Sequence, residues 1–181
     1  MADLLGLAVV DDTFADMLDA NAHYAKEEHE VAETGVARKG LAIVTCIDSR
    51  INPLAVFGLV PGDAKILRNA GARVTDDVER GLALSAAALG VTRIAVVQHT
   101  DCKLTAASDA DLLEAVGQAT GRPAPPGFDP LAIADQPGAL AADVSRLLES
   151  SLLPKGTVIT GMVYDLHSGL LSTVVEPIAT G

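Results

Sequence analysis

The chain has 181 residues, of which 49% are hydrophobic but only 3% aromatic, and it contains two cysteines. A chain of this length buries enough surface to fold as one domain, which excludes disordered and disulfide-dependent chains. Its formal net charge of −11, from 13 Lys+Arg against 24 Asp+Glu, opposes binding to nucleic acid or to an anionic membrane surface.

The beginning of the chain has neither the basic residues nor the uninterrupted apolar run of a secretory signal. No later apolar run approaches the ~20 residues that a bilayer requires. We therefore expect a cytoplasmic protein, in which two cysteines are thiols, thiolates or metal ligands more often than a disulfide.

Predicted elements begin with a helical arm over residues 1–35, in which Thr13–Glu30 has the apolar spacing of a helix. Three apolar runs then predict strands at Leu41–Cys46, Ala64–Arg68 and Arg93–Gln98. Their hydrophobicity is continuous rather than alternating, which is typical of strands that are covered on both faces. These runs therefore favour a sheet packed between other elements.

The rest of the chain predicts helices, one irregular loop and a terminal hairpin. The prolines and glycines of residues 121–130 exclude regular structure there. Thr157–Leu166 and Leu170–Glu176 are typical of two strands joined by a turn at one edge of a sheet. The predicted helices are Asp77–Leu89, after the cap candidates Thr75 and Asp76, then Asp109–Ala119 and Gly138–Ser151.

Strands that alternate with helices predict an α/β fold. The expected architecture is a mostly parallel β-sheet flanked by helices, with an N-terminal helical arm and a C-terminal edge hairpin. We expect residues 1–181 to form a single domain. Because ligands of open parallel sheets collect at the carboxyl ends of the strands, the residues that follow each strand are the candidates for chemistry.

Both cysteines stand at such strand ends. Cys46 ends the first predicted strand, and His99 and Cys102 follow the third. Two thiolates and one imidazole suit Zn²⁺ and leave a fourth tetrahedral position for water or substrate, which is typical of a catalytic site. This set requires the two strands to be neighbours. The alternative is that Cys46 is a small buried hydrophobe and His99 a hydrogen-bonded core histidine.

Other polar residues lie beside these candidates. Asp48 and Arg50 can point to the same side, so that the arginine keeps the carboxylate ionised as an acceptor for bound water. The alternative is a surface ion pair of little consequence. Gly71 predicts a tight turn after the second strand, either structural or in contact with substrate. The remaining histidines are expected to be solvated: His23, His29 and His167.

Three segments, in order and spacing, resemble the β-class carbonic anhydrases: Cys46-Ile-Asp-Ser-Arg50, Arg68-Asn-Ala-Gly71 and His99-Thr-Asp-Cys102. The closing Gly161-Met-Val-Tyr-Asp-Leu and Ser168-Gly169 also resemble the last strands of that family. The resemblance implies zinc bound by Cys46, His99 and Cys102, and a catalytic dyad of Asp48 and Arg50. It further implies substrate contacts at Gly71 and Ala72, and a homodimer or higher homo-oligomer in which Thr13–Glu30 packs on a neighbouring subunit.

The implied reaction is the reversible hydration of carbon dioxide to bicarbonate by a metal-bound hydroxide. The alternative within the enzyme class is hydrolysis of carbonyl sulfide at the same site. From another class, the alternative is a non-catalytic zinc-binding protein. One residue departs from the family pattern, because Lys103 stands where glycine usually follows the second cysteine. If that position has a positive φ, the lysine costs about 1 kcal/mol.

Overall fold

The structure is a computed structural model, and it describes residues 14–29, 31 and 34–181. Residues 34–181 form one compact unit, and the described residues before Thr34 belong to another. The elements are α1 (Ala15–Glu27), β1 (Leu41–Cys46), α2 (Pro53–Val56), β2 (Ala64–Asn69), α3 (Asp76–Ala88), β3 (Arg93–His99), α4 (Asp109–Thr120), α5 (Gln136–Glu149), β4 (Val158–Tyr164) and β5 (Leu171–Ala179).

Five strands form one sheet in the order β2-β1-β3-β4-β5. The first three pairings are parallel, and β5 runs antiparallel to β4 at the edge. The predicted α/β class, the mostly parallel sheet and the C-terminal edge hairpin are therefore confirmed. The strand β5 extends past the predicted end at Glu176 because Pro177, which cannot donate to a ladder, is tolerated in an edge strand.

The main core lies between the sheet and the helices α3 and α5. Val44 and Val96 from the central strands pack with Leu82 of α3 and Leu140 of α5, all fully buried. Gly161 lets α5 approach the sheet closely, since a Cβ atom there would lie only 3.0 Å from Leu140 Cγ. The opposite face carries a smaller cluster around Ile43 and Val97. In the main cluster, small aliphatic side chains thus allow close packing without aromatic residues.

Local sequence signals place most of the helix ends. Thr75 caps α3 as expected, because its side chain accepts a hydrogen bond from the Val78 amide. The helix α5 begins at Gln136, two residues before the predicted start, since Pro137 is tolerated in the first turn. The helix α2 was not predicted, because four residues are too few to show a helical period.

In the N-terminal unit, α1 is confirmed within the predicted Thr13–Glu30, whose two end residues lie outside the described residues. None of its described side chains is buried. The irregular loop at residues 121–130 is also confirmed. None of the described helices is both long enough and apolar enough to span a bilayer. The single-domain organisation and the packing of the arm on a neighbouring subunit stay predictions.

Candidate metal centre

Two neighbouring parallel strands bring both cysteines and one histidine to the same edge of the sheet. The strand β1 pairs with β3 in parallel, with Thr45 opposite Val97. Cys46 ends β1, His99 ends β3, and Cys102 follows in the next turn. One ligand atom from each of these three residues lies within 4.8 Å of the others, and all three residues are buried. The predicted ligand set required β1 and β3 to be neighbours, and the structure confirms that they are.

One hydrogen bond to a backbone carbonyl orients the His99 ring. Its Nδ1 lies 2.8 Å from the carbonyl oxygen of Thr100, and because a carbonyl can only accept, Nδ1 carries the proton. This leaves Nε2 as the free lone pair. Nε2 is buried and has no hydrogen-bond partner among the described residues. The Gln136 side chain also donates to the His99 carbonyl over 3.0 Å, a contact that no sequence signal predicts.

The two sulfur atoms shift each other's pKa in opposite directions. The Cys102 thiol donates to the Cys46 sulfur, which lowers the pKa of Cys46 to about 4 against the opposing effect of burial. The same interaction, together with burial, raises the pKa of Cys102. Burial opposes protonation of His99, but the neighbouring Cys46 sulfur and the Thr100 carbonyl outweigh it and raise the His99 pKa. The cluster therefore holds at least one thiolate, the form in which cysteine binds metals.

The predicted turn at Gly71 supports Cys46 directly. The Gly71 amide donates to the Cys46 sulfur over 3.3 Å, and the glycine has a φ of 73°. Ala72 follows with a φ of 56° and is fully buried. The turn therefore supports the candidate metal ligand Cys46 through the Gly71 amide. Contact of Gly71 and Ala72 with substrate stays a prediction.

Asp48 and Arg50 form the expected pair beside the cluster. Arg50 Nε donates to Asp48 Oδ1 over 2.9 Å, and Arg50 Nη2 donates to Asp48 Oδ2 over 2.7 Å. These bonds hold the pKa of the Asp48 carboxyl well below its usual range. Asp48 Oδ2 also lies 3.9 Å from His99 Nε2. The pair is therefore adjacent to the three candidate ligands, unlike an isolated surface ion pair.

Arg68 clamps the segment that carries Cys46 and Asp48. Its side chain donates to the Cys46 carbonyl over 2.9 Å and to the Asp48 carbonyl over 2.7 Å. Arg68 belongs to a segment that the sequence singled out, but a bond from its side chain to another strand has no local signal. The clamp joins the ends of β1 and β2.

Apolar side chains surround the sulfur atoms. Ile51 is buried with both cysteines, and partly buried side chains complete the wall: Val56, Leu104, Tyr164 and Leu166. Water is less stable than a small apolar molecule against such a wall. The surroundings of the cluster therefore suit an uncharged substrate.

The backbone of Lys103 does not have the positive φ that would strain a lysine at this position. It begins a short 3₁₀ turn, Lys103–Thr105, and the positive φ in this loop belongs instead to Asp101. The expected cost of about 1 kcal/mol therefore does not arise. The side chain of Lys103 is exposed, as are His23, His29 and His167, for which solvation is confirmed.

The donor set fits a zinc ion. Zn²⁺ binds cysteine sulfur and histidine nitrogen, and three protein ligands are typical of catalytic sites. The unpartnered Nε2 of His99 and the thiolate of Cys46 are two such donors. A buried polar atom without a partner is costly, which a bound metal would relieve. The identity of the metal and the assignment of the ligands stay predictions.

Comparisons with known proteins agree with these motifs. A sequence model described as "Carbonic anhydrase" matches residues 41–121. The chain is 35% identical over 136 residues to "Beta-carbonic anhydrase 1" of Mycobacterium tuberculosis, covering 75% of this chain and 82% of the relative. It is 30% identical over 150 residues to "Carbon disulfide hydrolase" of an Acidianus species, covering 71% of this chain and 74% of the relative.

The fold also matches a solved structure. The crystal structure of the carbonic anhydrase from Streptococcus mutans superimposes with a TM-score of 0.83 at 35% sequence identity. The match covers 92% of this chain and 99% of that chain. Sequence and fold therefore point to one group of proteins.

Proposed function

The chain belongs to the β-class carbonic anhydrase family, and we propose that it is a carbonate dehydratase that catalyses the reversible hydration of carbon dioxide to bicarbonate. The observation that carries the proposal is the meeting of three ligand atoms within 4.8 Å beside the Asp48 carboxylate. Cys46, His99 and Cys102 would hold Zn²⁺.

When bound, Zn²⁺ lowers the pKa of a water molecule from 15.7 to about 7 and so supplies a nucleophile at neutral pH. The protein must present two deprotonated sulfur atoms and an imidazole nitrogen that carries no proton. The Gly71 amide already stabilises negative charge on the Cys46 sulfur. The Thr100 carbonyl holds the proton of His99 on Nδ1, away from the cluster.

Asp48 is the proposed hydrogen-bond acceptor for the attacking water. Because its pKa is held low by Arg50, the carboxylate stays ionised and can only accept. A water that donates to Oδ2 keeps one lone pair free to face the carbon atom of CO₂. Arg50 fixes both carboxylate oxygens through two hydrogen bonds.

The surroundings of the cluster select a small uncharged molecule. Carbon dioxide has no net charge and fits against the apolar wall around Ile51 and Leu104. We propose that Gly71 and Ala72 contact the substrate from the turn that supports Cys46. Hydration consumes CO₂ and water and releases bicarbonate and one proton, which leaves through solvent at this exposed edge.

Hydrolysis of a sulfur-containing analogue is the second candidate. The relatives include a carbon disulfide hydrolase that is 30% identical over 71% of this chain. Carbon disulfide and carbonyl sulfide are linear like CO₂. Attack by one water at the carbon of carbonyl sulfide would release CO₂ and one H₂S, and two successive attacks by water on carbon disulfide would release CO₂ and two H₂S. A non-catalytic zinc-binding protein is the alternative that lacks turnover altogether.

We also propose a cytoplasmic homodimer or larger homo-oligomer. The helix α1 has exposed apolar side chains, among them Met17 and Leu18, which are 62% and 70% exposed. Exposed apolar residues on one helix favour a protein partner. A neighbouring subunit that covers this arm would make the protein an obligate oligomer.

The proposal is tested by metal analysis and stopped-flow assays on one preparation. We expect about one zinc per chain, fast CO₂ hydration, and slower hydrolysis of carbonyl sulfide and carbon disulfide. Cys46→Ser should lose zinc and turnover, whereas the matched control Ser49→Ala, at an exposed site, should retain both. A folded wild type that binds no zinc, or that hydrolyses a sulfur analogue faster than it hydrates CO₂, would overturn the proposal.

A further inference from the structure

A second aspartate holds Arg50 from the far side. Arg50 Nη1 donates to Asp101 Oδ2 over 2.7 Å, and Arg50 Nη2 donates to the Asp101 carbonyl over 3.0 Å. Asp101 lies between His99 and Cys102, in the loop that supplies two of the candidate metal ligands. The arginine therefore connects the loop after β1 with the loop after β3.

The guanidinium group is nearly saturated by these contacts. An arginine side chain has five N–H donors in a fixed fork. Two of them bond to the Asp48 carboxylate and two to Asp101. Because the group is planar, the contacts with Asp101 determine the orientation in which it meets Asp48.

The contact between Arg50 and Asp101 is exposed to solvent, which limits what it can contribute to stability. The side chains of Arg50 and Asp101 are 50% and 62% exposed, so a single ion pair between them would contribute little to stability. Asp101 nevertheless adopts a φ of 56°, a conformation that aspartate tolerates better than most residues. The positive φ of Asp101 costs conformational free energy, and its exposed ion pair with Arg50 returns little stability. We take this combination as an indication that Asp101 serves the site rather than the fold.

We propose that Asp101 is a positioning residue that acts through Arg50, holding the guanidinium so that the Asp48 carboxylate stays aimed at the three metal donors. The inference rests on the proposed function, because it assigns Asp101 to the same reaction. The Arg50 backbone amide also donates to Asp48 Oδ1 over 2.9 Å, so the contact that would loosen without Asp101 is the bond from Arg50 Nη2 to Oδ2, the oxygen that lies 3.9 Å from His99 Nε2.

The test begins with Asp101→Asn, which removes the charge but keeps the shape and the tolerance for a positive φ. In zinc-loaded protein we expect kcat for CO₂ hydration to fall about tenfold with an unchanged zinc content, which is the lower end for residues that orient a metal site. Asp77→Asn is the matched control, since Asp77 also pairs with an exposed arginine, Arg80, elsewhere on the surface. The control should keep full activity.

A double-mutant cycle separates positioning from a general effect. If Asp101 acts through Arg50, Asp101→Asn should cause no further loss in an Arg50→Ala background. An equal loss in both backgrounds, or full activity of Asp101→Asn alone, would overturn the inference.

A second readout does not depend on turnover. In ¹⁵N NMR spectra of arginine side chains, the Arg50 N–H signals should exchange with water faster in Asp101→Asn than in the wild type, while the Arg73 signals stay unchanged. Unchanged exchange at Arg50 would overturn the inference even in an active enzyme. If the wild type fails to hydrate CO₂ but Arg50 exchange still depends on Asp101, the proposed function fails and the contact stands.

Discussion

Arg73 and Arg50 each bind an aspartate through two hydrogen bonds, but one pair is buried and the other borders solvent. Arg73 meets Asp143 with its Nε 2.7 Å from Oδ2, and the two side chains are 14% and 6% exposed. Arg50 meets Asp48 at the same shortest distance, but its side chain is 50% exposed. The chemistry of the contact is the same, and only the surroundings differ.

The buried pair joins the turn after β2 to α5, and Arg73 also donates to the Leu131 carbonyl. Removing one partner there leaves a mostly buried charge without its counter-ion, which is costly. The exposed pair loses little when broken, because water replaces the missing partner. Burial therefore favours a role in folding for the first pair, and proximity to the cysteines favours the proposed catalytic role for the second.

The largest expected effect is at the buried pair. Asp143→Ala should lower the free energy of unfolding by about 3–5 kcal/mol, because Arg73 keeps its charge in a mostly buried position. Urea denaturation followed by circular dichroism measures the change. Replacing both partners, as in Arg73→Met with Asp143→Leu, should restore much of the loss. A single variant within about 0.5 kcal/mol of the wild type would contradict the assignment to folding.

The next effect concerns turnover at the exposed pair. Asp48→Asn should reduce kcat for CO₂ hydration by roughly 10–100-fold, because an amide no longer presents two equivalent acceptors held by Arg50. The free energy of unfolding should change by less than about 1 kcal/mol, and zinc should remain bound. Stopped-flow assays and metal analysis on the same sample measure both. Unchanged turnover would remove Asp48 from the mechanism.

A pair of intermediate exposure lies between α3 and α5. Glu79 accepts hydrogen bonds from Ser150 and Arg146, which lower its pKa. A lowered folded-state pKa gives stability that is present above the unfolded pKa of about 4.3 and is lost as the pH falls through the folded value. Glu79→Gln should therefore cost about 1 kcal/mol at pH 7 and progressively less below pH 4. Urea denaturation at several pH values checks this, and a constant difference would contradict it.

The smallest effect is expected at the most exposed pair. Asp77 and Arg80 are 82% and 66% exposed, so solvent screens their attraction. Asp77→Asn should change the free energy of unfolding by less than about 0.5 kcal/mol. A loss as large as that of Asp143→Ala would show that burial does not rank these pairs.

The local features of the fold were predictable from particular residues. The run Leu41–Cys46 is apolar except for Thr45, as expected for a strand covered on both faces, and the structure places β1 at the predicted residues. Thr75 signals the start of α3 because its hydroxyl accepts from an amide in the first turn. Both signals lie within a few residues of the feature they predict.

Contacts between distant residues had no such signal. Asp143 lies 70 residues from Arg73, and Asp101 lies 51 residues from Arg50. Many arginines and aspartates could pair in a sequence of this composition, and only the packing of the elements selects among them. The contact of Gln136 with the His99 carbonyl was missed for the same reason.

By itself, the sequence determined which chemical groups stand at the ends of the strands, and their order and spacing were sufficient to indicate the family. Only the tertiary structure decided that β1 and β3 are neighbours, which brings Cys46 within 4.8 Å of the ligand atoms of His99 and Cys102. It also decided which carboxylates each arginine meets. The physical reason is that strand order and side-chain pairing depend on packing across the whole sheet, whereas sequence patterns report only the burial and conformation of neighbouring residues.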